Sequence, residues 1–212
     1  MLELLIVDDE SDILDILESV ATEQRVLIDG EAHDVRVTRA ANGREAFELV
    51  QTNWFDAILS DIKMPIMDGL DLLANIRGLG KEVPLIFLTA FGDKEHAVRA
   101  LRLGCYDFLD KPINLDRLRD VIHRALESGF RGREIEQEIE VRLSKLAALP
   151  AERYRQLRLV FRSMILVEKA RAEKTSAVEA DTESNALGAL LGHDSSLKKQ
   201  GSKTKKKSRR AA

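Results

Sequence analysis

The 212-residue sequence contains one cysteine, few aromatic residues and no long apolar run. The single cysteine, Cys105, cannot form a disulfide within the chain or build a cysteine metal cluster, and such residues usually act as small core hydrophobes. No apolar run approaches the roughly 18 residues that a membrane-spanning helix needs, and no basic region precedes the first apolar stretch. We therefore expect a cytoplasmic protein with no membrane partner.

Two further patterns are missing from the sequence. The four histidines, His33, His96, His123 and His193, do not have the spacing of metal ligands. No glycine-rich phosphate loop is present that would indicate an ATPase. The sequence therefore gives no sign of a histidine metal site or of a nucleotide-hydrolysing output domain.

Charge is unevenly distributed, although the formal net charge is only -3. Residues 198–212 contain eight lysines and arginines and no acidic residue, which leaves a net charge of -11 on the rest of the chain. Such a tail could bind nucleic acid or an anionic surface by counterion release, or remain solvated and mobile. Since no aromatic residues are interleaved with the basic ones, the tail carries no sign of base recognition.

Short apolar runs alternate with amphipathic segments up to about residue 126. The runs predicted as strands, each bounded by polar residues or by glycine and proline, are 4–7, 35–40, 57–60, 84–89 and 106–109. Five segments of helical length accompany them, including 11–24 and 93–103. This alternation predicts a doubly wound α/β domain, with a five-stranded parallel sheet covered by helices on both faces.

Charged and hydroxyl side chains follow the predicted strands at their carboxyl ends, where ligands bind in such sheets. They are Asp8, Asp9 and Glu10 after the first strand, Asp61 after the third, Thr89 at the end of the fourth and Lys111 after the fifth. Each alone is typical of a cap or turn. Clustered carboxylates, however, repel one another unless a cation lies among them, and oxygen ligands without His or Cys favour Mg²⁺. A neighbouring lysine would neutralise an incoming phosphoryl group.

Four motifs contain these residues: LLIVDDE (4–10), LSDIKMPIMDG (59–69), LTAFG (88–92) and YDFLDKP (106–112). In this order and at this spacing they resemble the CheY-like receiver domain of two-component response regulators. The resemblance covers residues 1–126 and implies a flavodoxin-like sheet with strand order 2-1-3-4-5.

The resemblance also implies a phosphoacceptor and a metal site. Asp61 would accept a phosphoryl group from a phosphohistidine on a sensor histidine kinase or phosphotransfer protein, or from a small phosphodonor. Asp9 and Asp61, with the backbone carbonyl of Lys63, would hold Mg²⁺, and Asp8 would act through the water shell of the metal. The metal would polarise the phosphoryl oxygens during the attack.

A phosphoryl-binding pair and a switch follow from the same resemblance. Lys111 and Thr89 would bind oxygens of the transferred phosphoryl group. Thr89 and Phe108 would form the switch, with the ring turning inward when the threonine is drawn to the phosphate. The Lys111–Pro112 peptide bond would be cis, which an X-Pro bond permits at a cost of about 0.5–1 kcal/mol.

An enzymatic alternative uses similar chemistry. Haloacid dehalogenase-like phosphatases also place a nucleophilic Asp after a strand with Mg²⁺, but they have a second Asp two positions later as general acid and base. Lys63 occupies that position here, and a lysine cannot assist hydrolysis in that way at neutral pH. We therefore expect a switch that catalyses only its own phosphorylation and dephosphorylation, and not a phosphatase.

Residues 25–33, RVLIDGEAH, are an insertion relative to a typical receiver. An extended loop or a short hairpin around Asp29 and Gly30 would accommodate them. The sequence leaves two interpretations open, a partner-specific contact and a tolerated surface insertion.

Beyond the receiver-like region the sequence predicts helices and then disorder. A helix is expected from Leu115 to about Leu126, with interruptions at Gly129 and Gly132. In residues 127–173, the spacing of the apolar residues predicts a helical hairpin or coiled coil, with Pro150 in the first turn of its second helix. Residues 174–212 predict a disordered basic tail.

The helical segment has two interpretations. It is a stalk that packs on the receiver or on itself, or an output element that forms a homodimer or docks on a protein target through residues 134–167. The alternative function is a nucleic-acid-binding transcriptional regulator that uses these helices and the tail, although two helices of this length are too few for most DNA-reading folds.

Overall fold

The computed structural model describes residues 1–90, 94–146, 150 and 152–170. The chain forms two compact units, Met1–Pro150 and Ala151–Ala212. In the second unit, residues 152–170 are helical. Within the described ranges, no helix combines the length and apolar character needed to cross a membrane.

The first unit is built around one sheet with helices on both faces. Its strands are β1 (Leu2–Val7), β2 (Arg25–Ile28), β3 (Glu31–Ala40), β4 (Ala57–Asp61), β5 (Leu85–Ala90) and β6 (Asp107–Lys111). Its helices are α1 (Ser11–Thr22), α2 (Gly43–Thr52), α3 (Gly69–Gly78), α4 (Lys94–Arg102) and α5 (Leu115–Ser144). The strand order is β2-β3-β1-β4-β5-β6.

The central strands are buried on both faces, which explains their almost uninterrupted apolar sequences. Side chains alternate along β1: Leu4 and Ile6 belong to one hydrophobic cluster, and Leu5 and Val7 belong to the other. Helices α1 and α5 contribute to the first cluster, and helices α2 and α3 contribute to the second. The strands are thereby held between two apolar layers, and their carboxyl ends form one edge.

The predicted flavodoxin-like fold is confirmed, with one correction to the number of strands. The pairs β3-β1, β1-β4, β4-β5 and β5-β6 are parallel, which gives the order 2-1-3-4-5 when the insertion is not counted. The insertion adds a sixth strand, because β2 pairs antiparallel with β3. Asp29 and Gly30 form the two-residue turn with φ angles of 51° and 83°, a conformation that Asp-Gly favours in hairpins.

The predicted interruption of the last helix at Gly129 and Gly132 is wrong. Helix α5 continues through both glycines for 30 residues, a length of about 45 Å. Gly129 serves close packing, since a Cβ atom there would lie 1.6 Å from the carbonyl oxygen of Asp56. Gly129 is needed for this close contact, and it does not end the helix because the residues on either side of it continue the helical pattern.

The remaining predictions for the C-terminal half are not tested by these observations. The division into residues 1–126, 127–173 and 174–212 stays a prediction, although residue 126 lies inside the continuous helix α5. The predicted pairing of the helices in residues 127–173 also stays a prediction. Residues 171–212, with the basic tail, lie outside the described residues.

Candidate functional site

The carboxyl ends of four neighbouring strands bring the predicted site residues to one edge of the sheet. Asp8 follows β1 directly, Asp61 ends β4, Thr89 lies in β5 and Lys111 ends β6. Because β1, β4, β5 and β6 are parallel neighbours, their last residues lie side by side.

Lys111 joins the two buried carboxylates of this edge. Its Nζ atom lies 3.0 Å from Oδ1 of Asp61 and 3.2 Å from Oδ2 of Asp8. The side chain of Asp8 is 1% exposed and that of Asp61 is 13% exposed, so solvent screens the pair weakly. The ammonium group therefore occupies a position on which oxygens of both carboxylates converge.

Backbone amides hold the other oxygens of the same carboxylates. The N–H of Glu10 donates to Oδ1 of Asp8 at 2.9 Å, and the N–H of Lys63 donates to Oδ2 of Asp61 at 3.0 Å. Gly69 allows the loop after β4 to return to the site, because a Cβ atom there would lie 2.3 Å from the carbonyl oxygen of Asp61. These contacts fix the orientation of both carboxylates before any ligand binds.

Burial and charge act in opposite directions on this cluster. Burial raises the pKa of Asp61, and the hydrogen bond from Lys111 only partly opposes it. Burial lowers the pKa of Lys111, but the hydrogen bond to Asp61 and the charges of both aspartates outweigh it, so its pKa is raised overall. Lys111 therefore stays protonated at neutral pH. When Asp61 is ionised, its buried negative charge is stabilised by a cation close to it.

The remaining predicted residues lie outside the contact between Asp8, Asp61 and Lys111. Asp9 is exposed, Thr89 is buried in β5, and Phe108 is half-buried against the second hydrophobic cluster. The side chain of Lys63 is exposed. The Lys111–Pro112 peptide bond is cis.

The carboxylates do not form a complete metal cage by themselves. Within the described residues, no group of three or more His, Cys, Asp or Glu side chains is arranged to hold a metal ion. The structure brings Asp8, Asp61 and Lys111 together, and it leaves Asp9 exposed.

A second polar cluster, which the sequence did not predict, surrounds Asp56 just before β4. Its carboxylate is completely buried, accepts a hydrogen bond from the N–H of Glu3 at 2.8 Å and lies 3.1 Å from the guanidinium of Arg133. Burial raises the pKa of Asp56, and the hydrogen bond from Glu3 and the charge of Arg133 oppose this effect. Its Oδ1 atom is buried without a hydrogen-bond partner among the described residues. We name Asp56, Gly129 and Arg133 the α5 anchor.

The inserted hairpin, β2 and β3 with their turn, contacts the same stretch of α5. Asp29 in the turn lies 3.0 Å from the guanidinium of Arg131, and the ring of His33 lies 5.2 Å from that of Phe130. Phe130 also packs against the cluster that contains Val26. The insertion is thus an internal support for α5, a third possibility beside the two that the sequence left open.

Ile66, in the loop between Asp61 and α3, has an unfavourable backbone conformation. Its φ angle is 71°, which β-branched residues rarely adopt, and 79% of the residue is exposed. We expect Ile66→Gly to raise the free energy of unfolding by about 0.5–1 kcal/mol, because relief of strain exceeds the added chain entropy. Urea unfolding measures the difference. Ile66→Val is the matched control, because valine is also β-branched; an equal gain for both variants would exclude strain as the cause.

The family comparison agrees with this geometry. The model described as "Response regulator receiver domain" matches residues 4–123. This range contains the acidic pair and the lysine, and it ends inside α5.

Relatives of known name match the same part of the chain. It is 40% identical over 122 residues to "Response regulator protein PilR" of Pseudomonas aeruginosa, a match that covers 58% of this chain and 25% of PilR. It is 34% identical over 125 residues to "Transcriptional regulatory protein ZraR" of Salmonella typhimurium, covering 59% of this chain and 26% of ZraR. The chain thus spans only about a quarter of the length of these two relatives.

A solved structure shows the same fold. The chemotaxis response regulator CheY4 of Vibrio cholerae aligns with a TM-score of 0.51 at 29% identity, over 59% of this chain and 99% of the CheY4 chain. The alignment therefore accounts for the N-terminal part of the chain and not for its C-terminal helices.

Proposed function

This chain belongs to the family of response regulator receiver domains, and from that membership we propose that it is a phosphorylation-dependent switch with Asp61 as the phosphoacceptor. The observation that carries the proposal is the position of Lys111, whose ammonium group lies between the buried carboxylates of Asp8 and Asp61. A fixed cation beside a buried carboxylate is suited to receive a group that brings further negative charge.

The proposed reaction is a phosphoryl transfer to Asp61. A carboxylate oxygen attacks the phosphorus of a phosphohistidine on a sensor histidine kinase or phosphotransfer protein. The new P–O bond forms as the P–N bond breaks, and the imidazole nitrogen keeps the electron pair. Lys111 then pairs with an oxygen of the aspartyl phosphate, and the Thr89 hydroxyl donates to another.

Mg²⁺ is the cofactor that the family implies and that this donor set suits. Asp8 and Asp61 supply carboxylate oxygens at the same sheet edge, where both lie within 3.2 Å of Lys111 Nζ, and hard oxygen ligands are those that Mg²⁺ prefers. Asp9, Asp61 and the backbone carbonyl of Lys63 would hold the ion, with Asp8 acting through its water shell. When bound, Mg²⁺ supplies charge neutralisation and polarises the phosphoryl oxygens.

The proposed switch connects the phosphoryl site to β6 and α5. Thr89 pairs with Asp110 and Phe87 pairs with Phe108 across β5 and β6, so Thr89 and Phe108 are diagonal neighbours on one face of the sheet. We propose that a movement of the Thr89 hydroxyl changes the space beside the Phe108 ring. Helix α5 begins four residues after Lys111 and carries the signal toward the helical segment. We propose that this segment forms a homodimer or docks on a protein target through residues 134–167.

Intact-mass measurement tests the phosphoacceptor directly. After incubation with acetyl phosphate and Mg²⁺, the parent protein is expected to gain one phosphoryl group, and Asp61→Ala is expected to gain none. Asp15→Asn, an exposed carboxylate on α1, is the matched control and is expected to behave as the parent. Failure of the parent to bind either a phosphoryl group or a beryllofluoride mimic would contradict the proposal.

A nucleic-acid-binding regulator is the second candidate, favoured by the names of the relatives. ZraR is named a transcriptional regulatory protein, and the "Probable transcriptional regulator ycf29" of Porphyra purpurea is 42% identical over 101 residues that cover 47% of each chain. Titration of unrelated DNA duplexes against the full chain and a version ending at Lys174 tests this candidate. Salt-sensitive binding that disappears on truncation would support a role for the tail. No binding by either protein would favour protein docking.

A further inference from the structure

The inserted hairpin gives the sheet a new edge strand. Strand β2 is outermost in the order β2-β3-β1-β4-β5-β6, and within the part of the chain that the structure describes it pairs with β3 alone. The backbone groups on its outer side therefore form a template for a further strand. We infer that β2 pairs antiparallel with β2 of a second copy of this chain, which joins the two sheets across a two-fold axis.

The side chains of β2 separate into a buried face and an exposed face. Val26 and Ile28 are buried in the hydrophobic cluster to which α1 and α5 contribute. Leu27, between them, is 60% exposed, and Arg25 on the same face is also exposed. A second strand beside β2 would cover Leu27 without disturbing the buried face.

The hairpin geometry determines which backbone groups of β2 face outward. The turn closes on the pair Ile28–Glu31, and the closing pair of a two-residue hairpin exchanges both of its backbone hydrogen bonds. Since hydrogen-bonded and non-hydrogen-bonded pairs alternate along an antiparallel ladder, the pair Leu27–Ala32 is non-hydrogen-bonded. The N–H and C=O of Leu27, and those of Arg25 two residues earlier, therefore point away from β3.

Two symmetric registers use these outward groups, and the charges favour one of them. A register centred on Val26 places Arg25 against the apolar side chain of Leu27 in the second copy. A register centred on Leu27 places the two Leu27 side chains opposite each other, and Arg25 opposite Asp29 of the second copy. The two-fold axis repeats this last contact, so the dimer contains two pairs of opposite charge.

Both charged groups are exposed and can make the new pair. Arg25 lies 3.6 Å from Asp34, a contact between two exposed side chains. Oδ1 of Asp29 lies 3.0 Å from Arg131, and a carboxylate accepts from more than one donor. Charged residues on an edge strand oppose pairing when like charges would meet. In β2 and its turn, an antiparallel copy brings opposite charges together.

Disulfide trapping reads this contact and no other dimer. In the full chain with Cys105→Ala, the substitution Leu27→Cys places two thiols on a pair whose Cα atoms are about 5.5 Å apart, within disulfide range. Mild oxidation is therefore expected to give a covalent dimer. Ala32→Cys, at the exposed partner of Leu27 on β3, is the matched control. Its thiols would be separated by three strand spacings, about 14 Å, and are expected to stay reduced.

Complementary charge reversals test the register in the same trapping assay. Arg25→Glu and Asp29→Arg are each expected to slow formation of the covalent dimer at least about tenfold, because two attractive pairs become two repulsive ones. An equimolar mixture of the two variants is expected to restore the parent rate, since every pair in the mixed dimer again joins opposite charges. Arg44→Glu, an exposed reversal on α2, is the control that should leave the rate unchanged.

Three results would overturn the pairing of β2 with β2. They are trapping at residue 27 no faster than at residue 32, trapping that neither charge reversal slows, and a mixture that does not recover. A misfolded variant cannot restore the dimer, so recovery in the mixture also shows that both variants fold. No phosphodonor is added, so the outcome does not depend on phosphorylation of Asp61.

Discussion

Arg133→Met is expected to lower the free energy of unfolding by about 3–5 kcal/mol, the range typical when one partner of a buried ion pair is removed. The carboxylate of Asp56 is completely buried, and Arg133 is the cation that faces it. The Oδ1 atom of Asp56 already lacks a hydrogen-bond partner among the described residues. Methionine keeps the length and apolar contacts of the arginine stem, so urea unfolding measures mainly the loss of the charge.

Two controls separate the buried charge from general damage to α5. Arg119→Met removes a partly exposed arginine that lies 3.8 Å from Glu23 and 3.4 Å from Asp116, and each such surface pair contributes at most about 1 kcal/mol. The double variant Asp56→Asn/Arg133→Met is expected to recover part of the loss, because it leaves no buried charge. If the free energy of unfolding of Arg133→Met were no lower than that of Arg119→Met, the ion pair between Arg133 and Asp56 would not stabilise the fold.

The pH dependence of Arg133→Met gives a further check with a definite sign. Burial already raises the pKa of Asp56, and removal of the arginine takes away an opposing charge and raises it more. A group with a raised folded-state pKa loses its contribution to stability as the pH rises through that pKa. The destabilisation of Arg133→Met is therefore expected to be constant while the pH is above the further raised pKa of Asp56 in the variant, and to shrink as the pH falls through that pKa.

The candidate phosphoryl site was predictable because its geometry follows from strand assignment. Asp8, Asp61 and Lys111 are far apart in the sequence, but each comes at the end of a short apolar run. Parallel strands in one sheet must bring such ends to one edge. The structure places the three side chains within ion-pair distance, as that reasoning requires.

The α5 anchor was not predictable by the same reasoning. Gly129 has the sequence signature of a helix end, and only the close approach of the Asp56 backbone explains it as a packing position. The hairpin turn could be predicted from Asp29 and Gly30, but its contact with Arg131 could not, because that contact exists only if α5 continues past residue 126. The acid at Asp56, directly before the apolar residues of β4, was the one local signal of a buried charge.

Asp61→Asn is expected to stabilise the protein at neutral pH in the absence of Mg²⁺, by about 1–2 kcal/mol, a range typical of relieving a poorly compensated buried polar group. Burial raises the pKa of Asp61 in the folded state, so ionisation of this carboxylate opposes folding. Asparagine has nearly the same shape and no charge. Lys111 keeps Asp8 as a partner, because its Nζ atom lies 3.2 Å from the carboxylate of that residue.

The sign of the pH dependence distinguishes this explanation from a simple gain in packing. The folded state binds the proton of Asp61 more tightly than the unfolded state, so its contribution to stability is fully present below about pH 4 and lost as the pH rises through the folded-state pKa. The gain in free energy of unfolding from Asp61→Asn should therefore be small near pH 4, grow with pH and become constant above the raised pKa. Adding Mg²⁺ should stabilise the parent more than the variant, since the carboxylate then gains a cation. An advantage independent of pH, or a variant less stable than the parent at pH 7, would show that Lys111 already compensates the charge of Asp61 in full.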